Sequence, residues 1–205
     1  MGKEVERVEC AAVLLRTAQV IPETEAEGPG RRFALWVQGC SIRCVGCCNP
    51  EMFAEDKGRG VDSAELAQQA LETRGLEGVS ILGGEPAEQA DAVADFCERV
   101  RAGGLSVMLY SGYTLEQLRS RPDSVRLLQA IDLLVDGRYE KSLPETKRRW
   151  LGSTNQVIHF LTRRYGPDDS RFQAANTVEL RLTRDQLTIN GWPALADGLR
   201  WRSTR

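Results

Sequence analysis

The sequence predicts an α/β fold, a partial, open (β/α) barrel of about five or six parallel strands with a C-terminal β-hairpin extension. Short apolar runs alternate with helical stretches, which is typical of βαβ units and a parallel sheet. The chain has 205 residues, fewer than the roughly 250 of a closed eight-stranded barrel. Near its end, two runs alternate polar and apolar residues with period two, as the strands of a hairpin do.

The first elements follow from apolar runs and one capping signal. An apolar segment, Cys10–Leu15, precedes a polar loop from Pro22 to Arg32. The run Phe33–Val37 is apolar throughout, which indicates a buried strand. Asp62, with Glu65 three residues later, resembles a capping box that opens a helix. The apolar residues of that helix share one face: Leu66, Ala67, Ala70 and Leu71.

Strands and helices then alternate to the end of the predicted barrel. A second helix carries apolar residues at helical spacing from Ala90 to Val100, and Thr114 with Gln117 opens a short third one. The remaining predicted barrel strands are Val79–Leu82, Leu105–Tyr110, Ile131–Val135 and Val157–Leu161. The hairpin is expected from Val178–Leu182 and Gln186–Ile189, with its turn at Thr183–Asp185. We therefore expect a barrel domain over residues 1–160 and an extension over 161–205 that packs on the same domain.

Bulk composition excludes several classes of function. The formal net charge is −2, and Lys and Arg are spread along the chain, which argues against binding to nucleic acid by charge. No segment approaches the 18 or so consecutive apolar residues of a membrane span. The first residues are acidic where a secretory signal would be basic and then apolar. We therefore expect a cytoplasmic protein with no nucleic-acid partner and no membrane segment.

The cysteines are the strongest chemical signal in the sequence. Four of the six fall within nine residues, and Cys40, Cys44 and Cys47 have the spacing C-x3-C-x2-C. Clustered thiols in a cytosolic protein bind metal more often than they form disulfides. A four-iron cluster usually takes four cysteines, so three would leave one iron open to a ligand.

Two other interpretations of the cysteines remain open from spacing alone. A structural zinc site closes all four coordination positions and would need a further ligand pair. The remaining candidates do not pair at ligand spacing: Cys10, Cys48, Cys97 and His159. A thioredoxin-like redox site would use Cys44 and Cys47 and leave Cys40 unexplained.

The segment Gln38–Pro50 resembles the signature of the radical S-adenosylmethionine (SAM) superfamily. It is most similar to the small activating enzymes of the anaerobic ribonucleotide reductase type. Gly28–Arg31 resembles the Asn-Gly-Pro-Gly approach of that group, with Glu27 in place of Asn, and Cys48 stands where the group often has an aromatic residue. Further segments at predicted strand ends also resemble its pattern: Gly83–Pro86, Ser111–Tyr113, Asp136–Arg138 and Gly152–Gln156.

This resemblance implies a cofactor set and a list of contacts. Cys40, Cys44 and Cys47 would hold a [4Fe-4S] cluster at which SAM is reductively cleaved to a 5′-deoxyadenosyl radical. The ammonium group of SAM would be cradled by Gly83, Gly84 and Glu85. Its ribose or carboxylate would be contacted by Ser111, Asp136 and Arg138. The side chains without an assigned role are expected to be structural: Cys10, Cys97, His159, Trp36, Trp150, Trp192 and Trp201.

The resemblance also implies a function, with two alternatives. The first expectation is an activating enzyme that places a glycyl radical on a larger partner protein and takes its electron from a flavodoxin or ferredoxin. The chain continues well past Gln156, and this extension could cap the barrel. The first alternative is therefore a stand-alone enzyme that acts on a small molecule or peptide. The second is an electron-transfer or iron–sulfur scaffold protein, which leaves Gly83–Pro86 unexplained.

Overall fold

The computed structural model describes residues 12–182, 184 and 187–191. Its strands are β1 (Leu14–Thr24), β2 (Arg32–Val37), β3 (Arg59–Asp62), β4 (Gly78–Gly83), β5 (Ser106–Tyr110), β6 (Leu133–Asp136), β7 (Val157–Phe160), β8 (Val178–Leu182) and β9 (Leu187–Gly191). Its helices are α1 (Ser63–Glu72), α2 (Ala90–Ala102), α3 (Leu115–Arg119) and α4 (Val125–Gln129). Some residues singled out in the sequence lie outside the described part: Cys10, Thr183, Asp185, Gln186, Trp192 and Trp201.

The first seven strands form one mixed sheet in the order β3-β1-β2-β4-β5-β6-β7. Its centre is parallel, since β2, β4, β5 and β6 pair in the same direction. β1 runs antiparallel to both β2 and β3, and β7 runs antiparallel to β6. In the described part of the chain β3 and β7 are the two edges of the sheet, which is therefore open.

The α/β class and the C-terminal hairpin are confirmed, but the expectation of five or six parallel strands is wrong, because four are parallel. Parallel strands need a crossover that carries the chain back over the sheet, usually a helix. The described residues 137–156 between β6 and β7 form no helix. The chain therefore turns back at the same end of the sheet, and β7 adds in the antiparallel direction.

The strand β1 is longer than its apolar pattern indicates. It continues through Pro22 to Thr24, within the segment expected to be a loop. Its register with β2 shifts between Ile21 and Thr24, and proline is tolerated in a strand at such an irregularity. The short strand β3 was missed in the sequence because it has the residues Arg-Gly-Val-Asp and no apolar run.

The helices cover one face of the sheet, and α1 and α3 begin where their capping signals predict. The carboxylate of Asp62 accepts the Ala64 N–H at 2.9 Å, and Thr114 with Gln117 forms a complete capping box. The residues Phe33, Leu35 and Val37 of β2 face this side and join the helices in the main core. Cys97 is fully buried in the same core, as expected for a structural thiol.

The opposite face of the sheet carries the cavity. Residues that alternate with the helix-facing ones point to this side, among them Ala34, Trp36 and Leu82. Further along the sheet this face is covered by Trp150, Leu151, Tyr165 and Phe172. No helix in the described part of the chain is long and apolar enough to cross a lipid bilayer.

The hairpin of β8 and β9 is attached to the end of β1 by polar contacts. The carboxylate of Glu179 accepts the Thr24 hydroxyl at 2.7 Å and the Glu25 N–H at 2.7 Å. Arg181 donates to the carbonyl of Glu23. These contacts hold β9 beside the cavity.

Candidate functional site

A cavity of about 420 Å³ lies at the carboxyl ends of the central parallel strands. This is the end at which α/β proteins place their ligand sites. The residues that line it come from the cysteine segment, from the strand ends and from the hairpin. Those predicted from the sequence to form the site are Cys40, Cys44, Cys47, Gly83, Gly84, Glu85 and Ser111.

The cysteine segment is an irregular loop held at its base by the backbone. Gly39 donates its N–H to the Met52 carbonyl at 2.9 Å, and Cys40 donates to that of Phe53 at 3.2 Å. Within the loop, the Cys47 N–H donates to the carbonyl of Cys44 at 3.2 Å. The backbone is left-handed at Gly46, with φ of 76°, a conformation that glycine adopts without steric cost.

The thiols of the loop differ in their ionisation. The Cys48 thiol donates a hydrogen bond to Cys47 and lowers the pKa of Cys47 to about 6. The same bond raises the pKa of Cys48. Burial raises the pKa of Cys40 and of Cys44, and backbone hydrogen bonds oppose that effect. Metal ligands are thiolates, so binding of a metal would deprotonate the cysteines that hold it.

The donor set fits a multi-iron cluster better than a single ion. In the described residues, no group of three or more His, Cys, Asp or Glu side chains converges on one ion-sized point. A mononuclear zinc site would require that convergence, whereas a four-iron cluster takes one thiolate for each iron and spaces the thiolates apart. Cys40, Cys44 and Cys47 line one cavity and would supply three of these four ligands, which leaves one iron open to a further ligand.

Gly83–Glu85 lies directly against the cysteine loop. The Gly84 N–H donates to the Val37 carbonyl at 2.7 Å, and the Glu85 N–H donates to that of Gly39 at 2.8 Å. These bonds continue the β2–β4 ladder beyond the strands. A Cβ atom on Gly84 would lie 2.2 Å from the carbonyl oxygen of Gly39, so only glycine permits this approach.

The Glu85 carboxylate is buried with polar partners. Its Oε1 accepts the Ala87 N–H and the Ser111 hydroxyl, each at 2.9 Å, and its Oε2 accepts the Gly112 N–H at 2.8 Å. The residue is 1% exposed, and burial raises its pKa to about 7. A buried carboxyl of this kind gains from a cationic neighbour, because the cation restores the charged form.

The structure separates the other predicted contacts into two groups. Ser111 lies on the cavity beside Glu85, whereas neither Asp136 nor Arg138 is among the described residues that line it. Asp136 instead accepts the Leu115 N–H at 2.6 Å and lies 2.9 Å from Nε2 of His159. Arg138 is exposed, and its charge partly opposes the burial that raises the pKa of the Cys44 thiol.

Several lining residues were not identified from the sequence as parts of a site. Glu27, Tyr110, Trp150, Asn190 and Gly191 all line the cavity. Glu27 is buried, and burial raises its pKa to about 7. It is the residue that departs from the Asn-Gly-Pro-Gly pattern, and that departure is the one sequence signal for it. Asn190 and Gly191 belong to the hairpin, whose docking position requires the tertiary structure.

The chain matches one protein family and is similar to several curated proteins. Residues 26–159 match the family described as a 4Fe-4S single cluster domain. The chain is also similar to curated anaerobic ribonucleoside-triphosphate reductase-activating proteins. It is 30% identical to that of Escherichia coli (strain K12) over 151 residues, which is 70% of this chain and 97% of the relative. It is 34% identical to that of Vibrio cholerae serotype O1 over 155 residues, again 70% of this chain and 97% of the relative.

A phage protein of the same name is also similar. The activating protein of Enterobacteria phage T4 is 28% identical over 146 residues, which cover 68% of this chain and 90% of the relative. The family match ends at residue 159, so β8 and β9 lie beyond it. The chain thus belongs to the 4Fe-4S single cluster domain family and is an iron–sulfur enzyme of the radical SAM superfamily, of the activating-protein type.

Proposed function

We propose that this chain binds SAM at a [4Fe-4S] cluster held by Cys40, Cys44 and Cys47 and activates a glycyl radical enzyme. One observation carries the proposal. The three cysteines and Gly83–Glu85 line one cavity, and backbone hydrogen bonds join their two loops. The names of the relatives support the activating role, since each is the activating protein of an anaerobic ribonucleoside-triphosphate reductase.

When bound, the reduced cluster would supply the electron that cleaves SAM to methionine and a 5′-deoxyadenosyl radical, which removes a hydrogen atom from the substrate. The residues of the chain would orient these groups. The buried carboxylate of Glu85 would accept the ammonium group of SAM, and the Ser111 hydroxyl would hold Glu85 in place. Gly83 and Gly84 would present a backbone edge without side chains. Trp36 would form part of the apolar floor that excludes water from the cavity.

Asp136 and Arg138 enter the proposal with roles additional to the predicted contacts with SAM. Asp136 would act as a positioning residue that fixes the start of α3 through Leu115 and orients His159, as its contacts support. Arg138 would contribute positive charge beside the cysteine loop, and the contacts of Asp136 and Arg138 with the ribose or carboxylate of SAM stay predictions.

The remaining expectations complete the proposal. We infer a cytoplasmic protein without a nucleic-acid partner and with a flavodoxin or ferredoxin as electron donor. Residues 1–160 would form a partial barrel, and residues 161–205 would form an extension packed on it. The hydrogen bonds between β8 and the end of β1 support that packing.

Anaerobic reconstitution with iron and sulfide, followed by SAM and dithionite, tests the chemistry. We expect 5′-deoxyadenosine to form with the natural chain and not with Cys44→Ala. A reconstituted chain with full iron content that releases no 5′-deoxyadenosine would contradict SAM cleavage. A glycyl radical doublet in electron paramagnetic resonance, after mixing with a candidate reductase, would support the activating role.

The hairpin beside the cavity favours one second candidate, a stand-alone enzyme for a small molecule. That candidate requires that 5′-deoxyadenosine forms when a low-molecular-weight substrate is added, and that no glycyl radical appears on a protein. The same mixing experiment therefore separates the two functions.

A further inference from the structure

The cavity and the outer surface of the cysteine loop differ in charge. None of the described residues that line the cavity is Arg, Lys or His, whereas three of them are Glu. Outside that lining, Arg43, Arg138 and Lys141 are exposed. A partner that approaches the loop from outside therefore meets positive charge, although the formal net charge of the whole chain is −2.

The segment 138–143 packs against the tip of the cysteine loop. The side chain of Lys141 lies beside Gly46, because a Cβ atom placed on Gly46 would be 2.6 Å from Cδ of Lys141. The Tyr139 N–H donates to the sulfur of Cys44, and Arg138 is near enough to interact with the same sulfur through its charge. The cations of this segment are thus held beside one of the proposed cluster ligands.

The tip of the loop is open to solvent. Val45 is 87% exposed, and Gly46 is exposed as well. Cys44 and Cys47 flank this tip in the sequence, so a protein docked there would contact the loop between two of the cluster ligands. An apolar centre with a charged rim is the usual arrangement of a protein–protein interface.

The charges of this surface are available to a partner. In the described part of the chain, Arg43, Arg138 and Lys141 form no ion pair. Arg43 is the one charged residue of the segment 41–49, and Glu140 is the one acid of the segment 138–143. Exposed charges of one sign speed the encounter with a partner of the opposite sign.

We propose that Arg43, Val45, Gly46, Arg138 and Lys141 form the docking surface for an acidic electron-carrier protein. We call these five residues the donor face. The inference rests on the proposed function, in which a cluster on the cysteines takes an electron from another protein. The carrier then docks outside the loop, and the acidic cavity inside it stays free for SAM and the substrate. Complexes of electron carriers are small and weak, so a few cations around one apolar side chain suffice.

Stopped-flow reduction of the reconstituted chain tests the donor face. The probe is a flavodoxin, an acidic carrier, in its anionic hydroquinone form. Each hydroquinone gives one electron to one oxidised cluster and becomes the neutral semiquinone, and no proton is transferred. The loss of visible absorbance of the cluster reports the rate, so the measurement does not depend on SAM cleavage.

Two double variants are compared with the natural chain. The donor-face variant carries Arg43→Glu and Lys141→Glu, and the control variant carries Arg74→Glu and Arg163→Glu, with the same change in net charge. Both control residues are exposed. They lie at the opposite end of the sheet, because Arg74 precedes β4, and Arg163 follows β7, which runs antiparallel to β6. Circular dichroism and iron content establish that each variant is folded and loaded, and the 5-deazariboflavin radical, a small uncharged reductant, establishes that each cluster accepts an electron.

We expect flavodoxin to reduce the donor-face variant at least about tenfold more slowly than the natural chain at low ionic strength, and the control variant within about twofold of it. In about 0.5 M salt the tenfold difference should shrink to about threefold or less, because charges are then screened within about 4 Å. The small reductant should act on all three chains at the same rate. Equal flavodoxin rates for the two double variants would overturn the proposal, as would failure of flavodoxin to reduce the natural chain. A donor-face variant that is reduced normally but no longer activates a partner reductase would assign the surface to that reductase instead.

Failure of this inference is distinguishable from failure of the proposed function. The natural chain is also incubated with SAM and the small reductant, without any carrier protein. If 5′-deoxyadenosine forms there and flavodoxin reduces the two double variants equally, the donor face alone is refuted. If no 5′-deoxyadenosine forms at full iron content, the proposed function fails.

Discussion

The substitution Gly84→Ala is expected to push Gly83–Glu85 away from the cysteine loop. The new Cβ would lie 2.2 Å from the carbonyl oxygen of Gly39 and 2.9 Å from its carbonyl carbon. Both are backbone atoms, so no side-chain rotation relieves the contact. The two loops must separate, and the bonds from Gly84 to Val37 and from Glu85 to Gly39 weaken with them.

The magnitude follows from these contacts. Overpacking costs about 1–3 kcal/mol, and each lost backbone hydrogen bond adds about 0.5–1.5 kcal/mol. We therefore expect a loss of about 3 kcal/mol in the free energy of unfolding. For a chain of this size that loss lowers Tm by about 6–12 °C.

Gly166→Ala is the matched control, because nothing lies within 4 Å of a Cβ placed there. Urea unfolding of both variants measures stability, and iron content after anaerobic reconstitution measures the site. Gly166→Ala should stay within about 0.5 kcal/mol of the natural chain. The reasoning is refuted if Gly84→Ala matches Gly166→Ala in both stability and iron content.

Four further substitutions test the thiols, a buried acid and a helix cap. Cys48→Ala should keep full iron content after reconstitution, whereas Cys47→Ala should lose it; the opposite order would make Cys48 the ligand. The folded pKa of Glu27 is raised to about 7, so its protonated form favours folding at low pH and that contribution is lost as the pH rises through 7. Glu27→Gln still accepts the Gly191 N–H and should be more stable than the natural chain at pH 8, by at most about 3 kcal/mol, but not at pH 4. The same difference in urea midpoint between the variant and the natural chain at both pH values would contradict this. Thr114→Ala should cost about 1 kcal/mol by loss of the capping box, and an unchanged urea midpoint would show that the cap contributes nothing.

The local elements of the fold could be predicted from the sequence because their signals are local. The apolar run Phe33–Val37 and the caps at Asp62 and Thr114 each depend on neighbouring residues. The direction of β7 could not be predicted, since it depends on the path of residues 137–156 rather than on the residues of the strand.

Part of the candidate site could be predicted from the sequence, and part depends on the tertiary structure. The cysteines and Gly83–Glu85 form contiguous motifs, and the structure brings them to one cavity. Asn190 is far in the sequence from Thr24, and Gly191 is far from Glu27, so these contacts form only when the hairpin docks on β1. Asp136 lies at a strand end, as predicted, but its contacts with Leu115 and His159 are tertiary.

The polar attachment of the hairpin has a consequence for access to the cavity. Two of its leucines face solvent, with Leu182 81% and Leu187 53% exposed. The contacts that attach it to the end of β1 are hydrogen bonds, each of which contributes only about 0.5–1.5 kcal/mol. Segments with few buried apolar contacts open at a small fraction of the global unfolding free energy. The amide protons of β8 should therefore exchange with deuterium much faster than those of β2 and β4. Local opening of β8 and β9 would then widen the cavity at Asn190 and Gly191, while β2 and β4 stay paired.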